Sequence, residues 1–90
     1  MRTTWDFASS ECLTFGWGAS VLLDSRLARF DRRRIMVITD RQLVSAGLVS
    51  HVTANISPRR AVEIFDGGQP EPSMEVAEAA AAQAAKFEPD

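Results

Sequence analysis

The sequence predicts an α/β chain in which helices alternate with the strands of a parallel sheet. Three observations lead there. Short apolar runs alternate with longer stretches whose apolar residues fall at mixed three- and four-residue spacings, the pattern of βα units. The run Ile35-Met36-Val37-Ile38-Thr39 is continuous and β-branched, as a strand buried on both faces of a parallel sheet requires. Turn residues separate the segments: Gly16 and Gly18, Pro58, and the stretch from Asp66 to Pro72.

The elements follow in order. Glu11-Cys12-Leu13-Thr14-Phe15 alternates polar and apolar residues and is expected to form a half-buried strand, with Cys12 a buried, inert thiol. From Ala19 to about Phe30, the residues Val21, Leu22, Leu23, Leu27, Ala28 and Phe30 predict a helix. Asp31 and Arg32-Arg33-Arg34 make the turn. The Ile35–Thr39 strand follows and ends at Asp40. Leu43, Val44, Leu48, Val49, Val52 and Ile56 suit one face of a helix broken near Gly47 and stopped by Pro58. Ala61-Val62-Glu63-Ile64-Phe65 is the third strand. Ser73 is a good N-cap, with Glu75 and Glu78 near the positive end of the next helix. An alanine-rich helix then runs from Val76 to Lys86, closed by Phe87 and Pro89. A further strand is expected after Asp90, and an exposed sheet edge calls for pairing or cover.

Composition narrows the function classes. Ninety residues make one domain, with 10 Lys+Arg against 12 Asp+Glu, a net charge of −2 and 46% hydrophobic residues. Too much of the chain is apolar for a disordered tail. No apolar run approaches the ~18 residues of a membrane span, and Met1 to Asp6 shows no secretory signal. Cys12 alone forms no internal disulfide, which fits a reducing cytoplasm. With His51 the one histidine, a His-rich metal site cannot be built here, and no metal ligand is assigned. The arginines 26, 29, 32, 33, 34 and 41 read as a solvated helix end and turn; net charge is negative and no aromatics interleave them for base stacking. Nucleic acid and membrane are therefore not expected partners. No nucleophile–base pair is present, and no catalytic residue is assigned.

Two motifs carry chemistry. Gly16-Trp17-Gly18 before a helix is either the start of a phosphate loop or a plain turn; the third glycine of G-x-G-x-x-G is missing, since Val21 stands there. Asp40 is more specific. An acid at the end of a second strand, 22 residues after Gly18 and so close to the ~20 of dinucleotide-binding units, can accept both ribose hydroxyls and repel a 2′-phosphate. It can equally cap the helix that follows.

Four segments in order, Phe15-Gly16-Trp17-Gly18-Ala19, Ile35-Met36-Val37-Ile38-Thr39-Asp40, Ala46-Gly47-Leu48, and Val62 through Asp66-Gly67-Gly68-Gln69-Pro70-Glu71-Pro72-Ser73, resemble the start of the iron-containing (group III) alcohol dehydrogenases. The resemblance runs from Trp5-Asp6-Phe7 to Pro89-Asp90. It implies a partial Rossmann-like sheet ending before the glycine-rich phosphate loop: residues 1–90 as an incomplete N-terminal nucleotide-binding domain, without the helical domain that holds iron or zinc. It implies NAD as cofactor and an alcohol or aldehyde as substrate of a cytoplasmic parent enzyme, and homo-oligomers are compatible with it. Asp40 matches the adenine-ribose position that favours NAD. Glu71 stands where many members have Asn beside the cofactor, and an ionised Glu cannot donate a hydrogen bond there. The isolated chain is expected to be inactive. The competing reading is a small non-catalytic α/β binding or interaction module that associates through its open sheet edge.

Overall fold

A computed structural model describes residues 3–9 and 12–90. Its centre is a two-stranded parallel sheet, β1 (Arg34–Ile38) and β2 (Ala61–Phe65). The register pairs Arg34 with Ala61 and Ile38 with Phe65. The strands start one residue earlier and on the same residue, respectively, as the apolar runs predict. β1 keeps Ile35, Met36 and Val37 half-buried, and its end residues are exposed.

A 3-10 turn over Ala19–Leu22 runs into helix α1 (Leu23–Arg29). Helix α2 (Arg41–Ser45) and helix α3 (Leu48–Thr53) are the two halves of the predicted broken helix. The break is at Gly47, whose φ of +81° lies in the left-handed region that costs a side-chain-bearing residue about 1 kcal/mol or more. Helix α3 ends at Thr53, before Pro58, and Ile56 is buried in the turn that follows it. Helix α4 (Met74–Phe87) starts two residues before the predicted Val76. Ser73 caps it as expected, its Oγ accepting from the Val76 N–H at 3.3 Å. Helix α4 packs on both strands.

The predicted first strand does not form over its described part. Residues 12–15 pair with no strand, and Glu11 lies outside the described residues. A strand exists only when a neighbour takes its N–H and C=O groups, and among the described residues none pairs with this segment. Cys12 is consequently exposed, not buried. Trp5, Phe7, Leu13, Phe15 and Trp17 also stand in solvent. Among the described residues only Val49 and Ile56 are buried apolar side chains, at 7% and 8% exposure, and neither is fully enclosed. The accessible surface of 7538 Å² exceeds the roughly 5,200 Å² of a folded monomer of this mass. The radius of gyration of 15.5 Å likewise exceeds the ~12 Å of a compact domain of this length.

Long-range polar contacts replace part of the missing core. Asp24 on α1 reaches across 33 residues, its Oδ1 accepting from the Ser57 N–H at 2.7 Å and from Arg60 Nε at 2.9 Å. Arg60 also donates to the Arg32 carbonyl. These donors, the Ser57 N–H first and the Arg60 guanidinium second, hold the Asp24 carboxyl below its ordinary value against a smaller opposing effect of burial. At the other end, the Asp90 carboxylate accepts from the backbone N–H groups of Arg33 and Arg34, and the Asp90 N–H donates to the Arg34 carbonyl at 3.0 Å. The Arg34 side chain is not a solvated turn residue. It donates to the carbonyls of Phe87 and Glu88 and lies over the Phe87 ring.

Candidate functional site

The candidate site lies at the C-terminal ends of the two parallel strands, where α/β sheets bind ligands. Beyond β1, Asp40 leaves the strand in an extended conformation and starts α2. Its Oδ1 accepts from the Leu43 N–H at 2.8 Å, so the capping role is real. Oδ2 has no hydrogen-bond partner among the described residues. The two roles read from the sequence are therefore compatible: one oxygen serves the helix, and the other remains for a donor from outside.

Beyond β2, the chain folds back over the end of β1. Thr39 donates to the Phe65 carbonyl at 2.8 Å, and the Gly68 N–H donates to the Thr39 carbonyl at 2.9 Å. Asp40 and Gly67 form an isolated antiparallel bridge. The loop thus faces Asp40 across two open clefts. One, of about 470 Å³, exposes polar and apolar surface in nearly equal parts and has mostly polar residues on its wall, Asp40, Arg41, Gln42, Asp66 and Gln69; we call it the polar cleft. The other, of about 490 Å³, is mainly apolar, with Ile38, Leu43, Phe65, Val76 and Ala80 on its walls. Asp40, Gly68 and Gln69 belong to both.

Glu71 is exposed, and its neighbours Pro70 and Pro72 line the polar and the apolar cleft respectively. It stands at the rim of the same region as Asp40 but on neither wall. Gly16-Trp17-Gly18 is a turn, with the Ala19 N–H bonded to the Gly16 carbonyl at 3.2 Å and Gly18 at φ +68° leading into the 3-10 turn. It lines none of these clefts. The sequence reading missed Gly67 and Gly68 as wall residues. They read as loop composition, and nothing in a Gly-Gly step says which backbone it will approach. His51 is exposed on α3.

Iron, as the resemblance implies it, does not fit this chain. Among the described residues no group of three or more His, Cys, Asp or Glu side chains is placed to hold a metal ion. The chemistry of the Asp40 wall fits a nucleotide ribose: the residue lines the cleft, and one of its carboxylate oxygens has no hydrogen-bond partner among the described residues.

Comparison with known proteins gives concordant results. The family described as iron-containing alcohol dehydrogenase matches over residues 11–90. Long-chain-alcohol dehydrogenase 1 of Geobacillus thermodenitrificans (strain NG80-2) is 39% identical over 68 residues, which is 74% of this chain and 17% of that protein. The structure of an iron-containing alcohol dehydrogenase from Thermococcus thioreducens superposes with a TM-score of 0.69 at 20% identity, covering 80% of this chain and 19% of the other. At that identity the likeness shows the fold. The chain spans less than a fifth of the length of either relative.

Proposed function

The chain belongs to the iron-containing alcohol dehydrogenase family, and from that premise we propose that it is the N-terminal, nucleotide-binding part of an NAD-dependent alcohol or aldehyde oxidoreductase. The observation that carries the cofactor reading is the Asp40 carboxylate. It stands at the C-terminal end of β1 on the wall of the polar cleft, with one oxygen committed to Leu43 and the other without a hydrogen-bond partner among the described residues. Charge-assisted hydrogen bonds from the ribose hydroxyls to that oxygen are worth about 1.5–3 kcal/mol. The same charge opposes the 2′-phosphate of NADP, so the preference has an attractive and a repulsive part. Glu71, at the rim, is the second residue we assign to the cofactor side, as an acceptor only.

NAD supplies the acceptor for hydride when bound. The part of this chain is to hold and orient its adenosine end. The metal ligands lie elsewhere in the proposed parent, and the 90 residues alone catalyse no alcohol oxidation. The parent is proposed to work in the cytoplasm on an alcohol or aldehyde.

The test is steady-state kinetics of the longer protein with both cofactors, comparing Asp40→Gly with Asp40→Ser. Both substitutions remove the carboxylate. Ser keeps a capping oxygen, and Gly costs the cap only a few tenths of a kcal/mol. Each is expected to raise the Michaelis constant for NAD by about ten- to a hundredfold and to improve relative use of NADP, because the adenine end contributes uniform binding. An unchanged preference in both variants would withdraw the ribose assignment.

A further inference from the structure

Gly68 is where the two walls of the candidate site meet backbone to backbone. A Cβ placed on it would lie 2.6 Å from the Thr39 carbonyl oxygen and 3.2 Å from the Thr39 carbonyl carbon. Real Cβ atoms do not approach backbone so closely, and a peptide group cannot swing aside as a side chain can. Gly67 differs: its Cβ would meet the Phe65 ring at 2.9 Å, an obstacle at the end of a rotatable side chain. The consequence of the close approach is the hydrogen bond from the Gly68 N–H to Thr39 and the bridge from Gly67 to Asp40. These hold the backbone of Asp40 from one side. The Leu43 N–H holds its carboxylate from the other.

We propose that Gly68 is a positioning residue for Asp40: by carrying no side chain it lets the 66–70 loop pair with Thr39 and Asp40, and this pairing sets the orientation in which the Asp40 carboxylate meets a ribose diol. The ligand rests on the cofactor reading above; the geometry does not. Asp40 is thereby held at both ends, by its helix and by the neighbouring loop, and the cleft is preformed. Replacing Gly68 with any other residue lifts the loop off β1, frees the Asp40 backbone and blurs the distinction between a ribose and a deoxyribose. Gly67 tolerates a methyl group once the Phe65 ring turns.

Two amides of the 90-residue chain report on the arrangement without any ligand, Gly68 (bonded to Thr39) and Leu43 (bonded to Asp40). Native-state hydrogen exchange of the wild type is expected to show both opening together, below the free energy at which the Ala61 N–H of the sheet opens. Gly68→Ala is expected to speed exchange at Leu43 by roughly tenfold or more, with Ala61 unaffected. Gly16→Ala, with nothing within 4 Å of the added Cβ, should leave Leu43 unchanged. Adenosine and 2′-deoxyadenosine then probe the ligand. The Leu43 amide resonance of the wild type should respond more strongly to adenosine than to the deoxynucleoside, which offers one hydroxyl in place of two, and the difference should vanish in Gly68→Ala. Independent opening of Gly68 and Leu43 in the wild type, or unchanged Leu43 exchange in a folded Gly68→Ala chain, overturns the proposal. If the wild type ignores adenosine while the exchange results hold, the ribose reading falls and the positioning of Asp40 by Gly68 stands.

Discussion

Arg34 is the residue whose loss should be felt most among the exposed side chains. The last carbonyls of a helix have no partner within it, and they carry the negative end of its dipole. At the end of α4 the Glu88 N–H serves the Ala84 carbonyl, and one guanidinium serves the last carbonyl and that of the cap: Arg34 Nε lies 3.0 Å from the Phe87 oxygen and 3.2 Å from the Glu88 oxygen, and a second nitrogen also reaches Phe87. The same group sits 4.4 Å from the Phe87 ring centroid. Arg34→Ala removes all of this. Charged hydrogen bonds contribute about 1.5–3 kcal/mol, and solvent at this site favours the lower end, about 1–1.5 kcal/mol. An exposed cation–π contact adds about 0.5–1 kcal/mol. The sum, about 1.5–2.5 kcal/mol, corresponds to a fall in Tm of about 6–20 °C for a domain of this size. Arg34→Lys keeps the charge but has neither the planar fork nor the stack, and should recover less than half of the loss. Thermal melts followed by circular dichroism measure both variants. A melt within about 2 °C of wild type for the alanine variant, or full recovery by lysine, would refute the argument that the guanidinium geometry fastens α4 to β1.

Two further outcomes follow from the same contacts. Ser73→Ala should cost about 1 kcal/mol through the lost cap on the Val76 N–H, read as a lower denaturation midpoint at unchanged slope. Because the Asp24 carboxyl is held below its ordinary 3.8 in the folded chain by the Ser57 N–H and Arg60, the stability it contributes is complete above that value and drains away as pH falls toward the folded-state value. Asp24→Asn should therefore melt at a temperature that changes less between pH 5 and pH 2 than the wild type does; parallel curves would show that Asp24 does not couple folding to protonation.

Where local pattern and burial agree, the sequence by itself determined the structure. The third apolar run became β2 over the same five residues, because Ala61 to Phe65 is bounded by turn residues on both sides. Ser73 and Gly47 are legible for similar reasons, one as an oxygen that satisfies an orphan N–H and the other as a backbone freed from Cβ sterics. Asp40 could be placed at the end of β1, and both of its possible partners named, from spacing alone. Tertiary structure decided the rest. Residues 12–15 alternate like a strand, but strand pairing is a property of two segments, and among the described residues no second segment pairs with them. Arg34 looks like a member of a charge run and Arg60 carries no pattern of its own, yet Arg60 joins Asp24 across 36 residues and Arg34 joins Phe87 across 53. The Gly67-Gly68 step reads as any flexible loop; only the fold brings it against Thr39 and Asp40. A residue's intrinsic preferences are written locally, whereas the partner of a carboxylate, a guanidinium or a bare peptide is chosen by whichever distant segment the packing delivers to it.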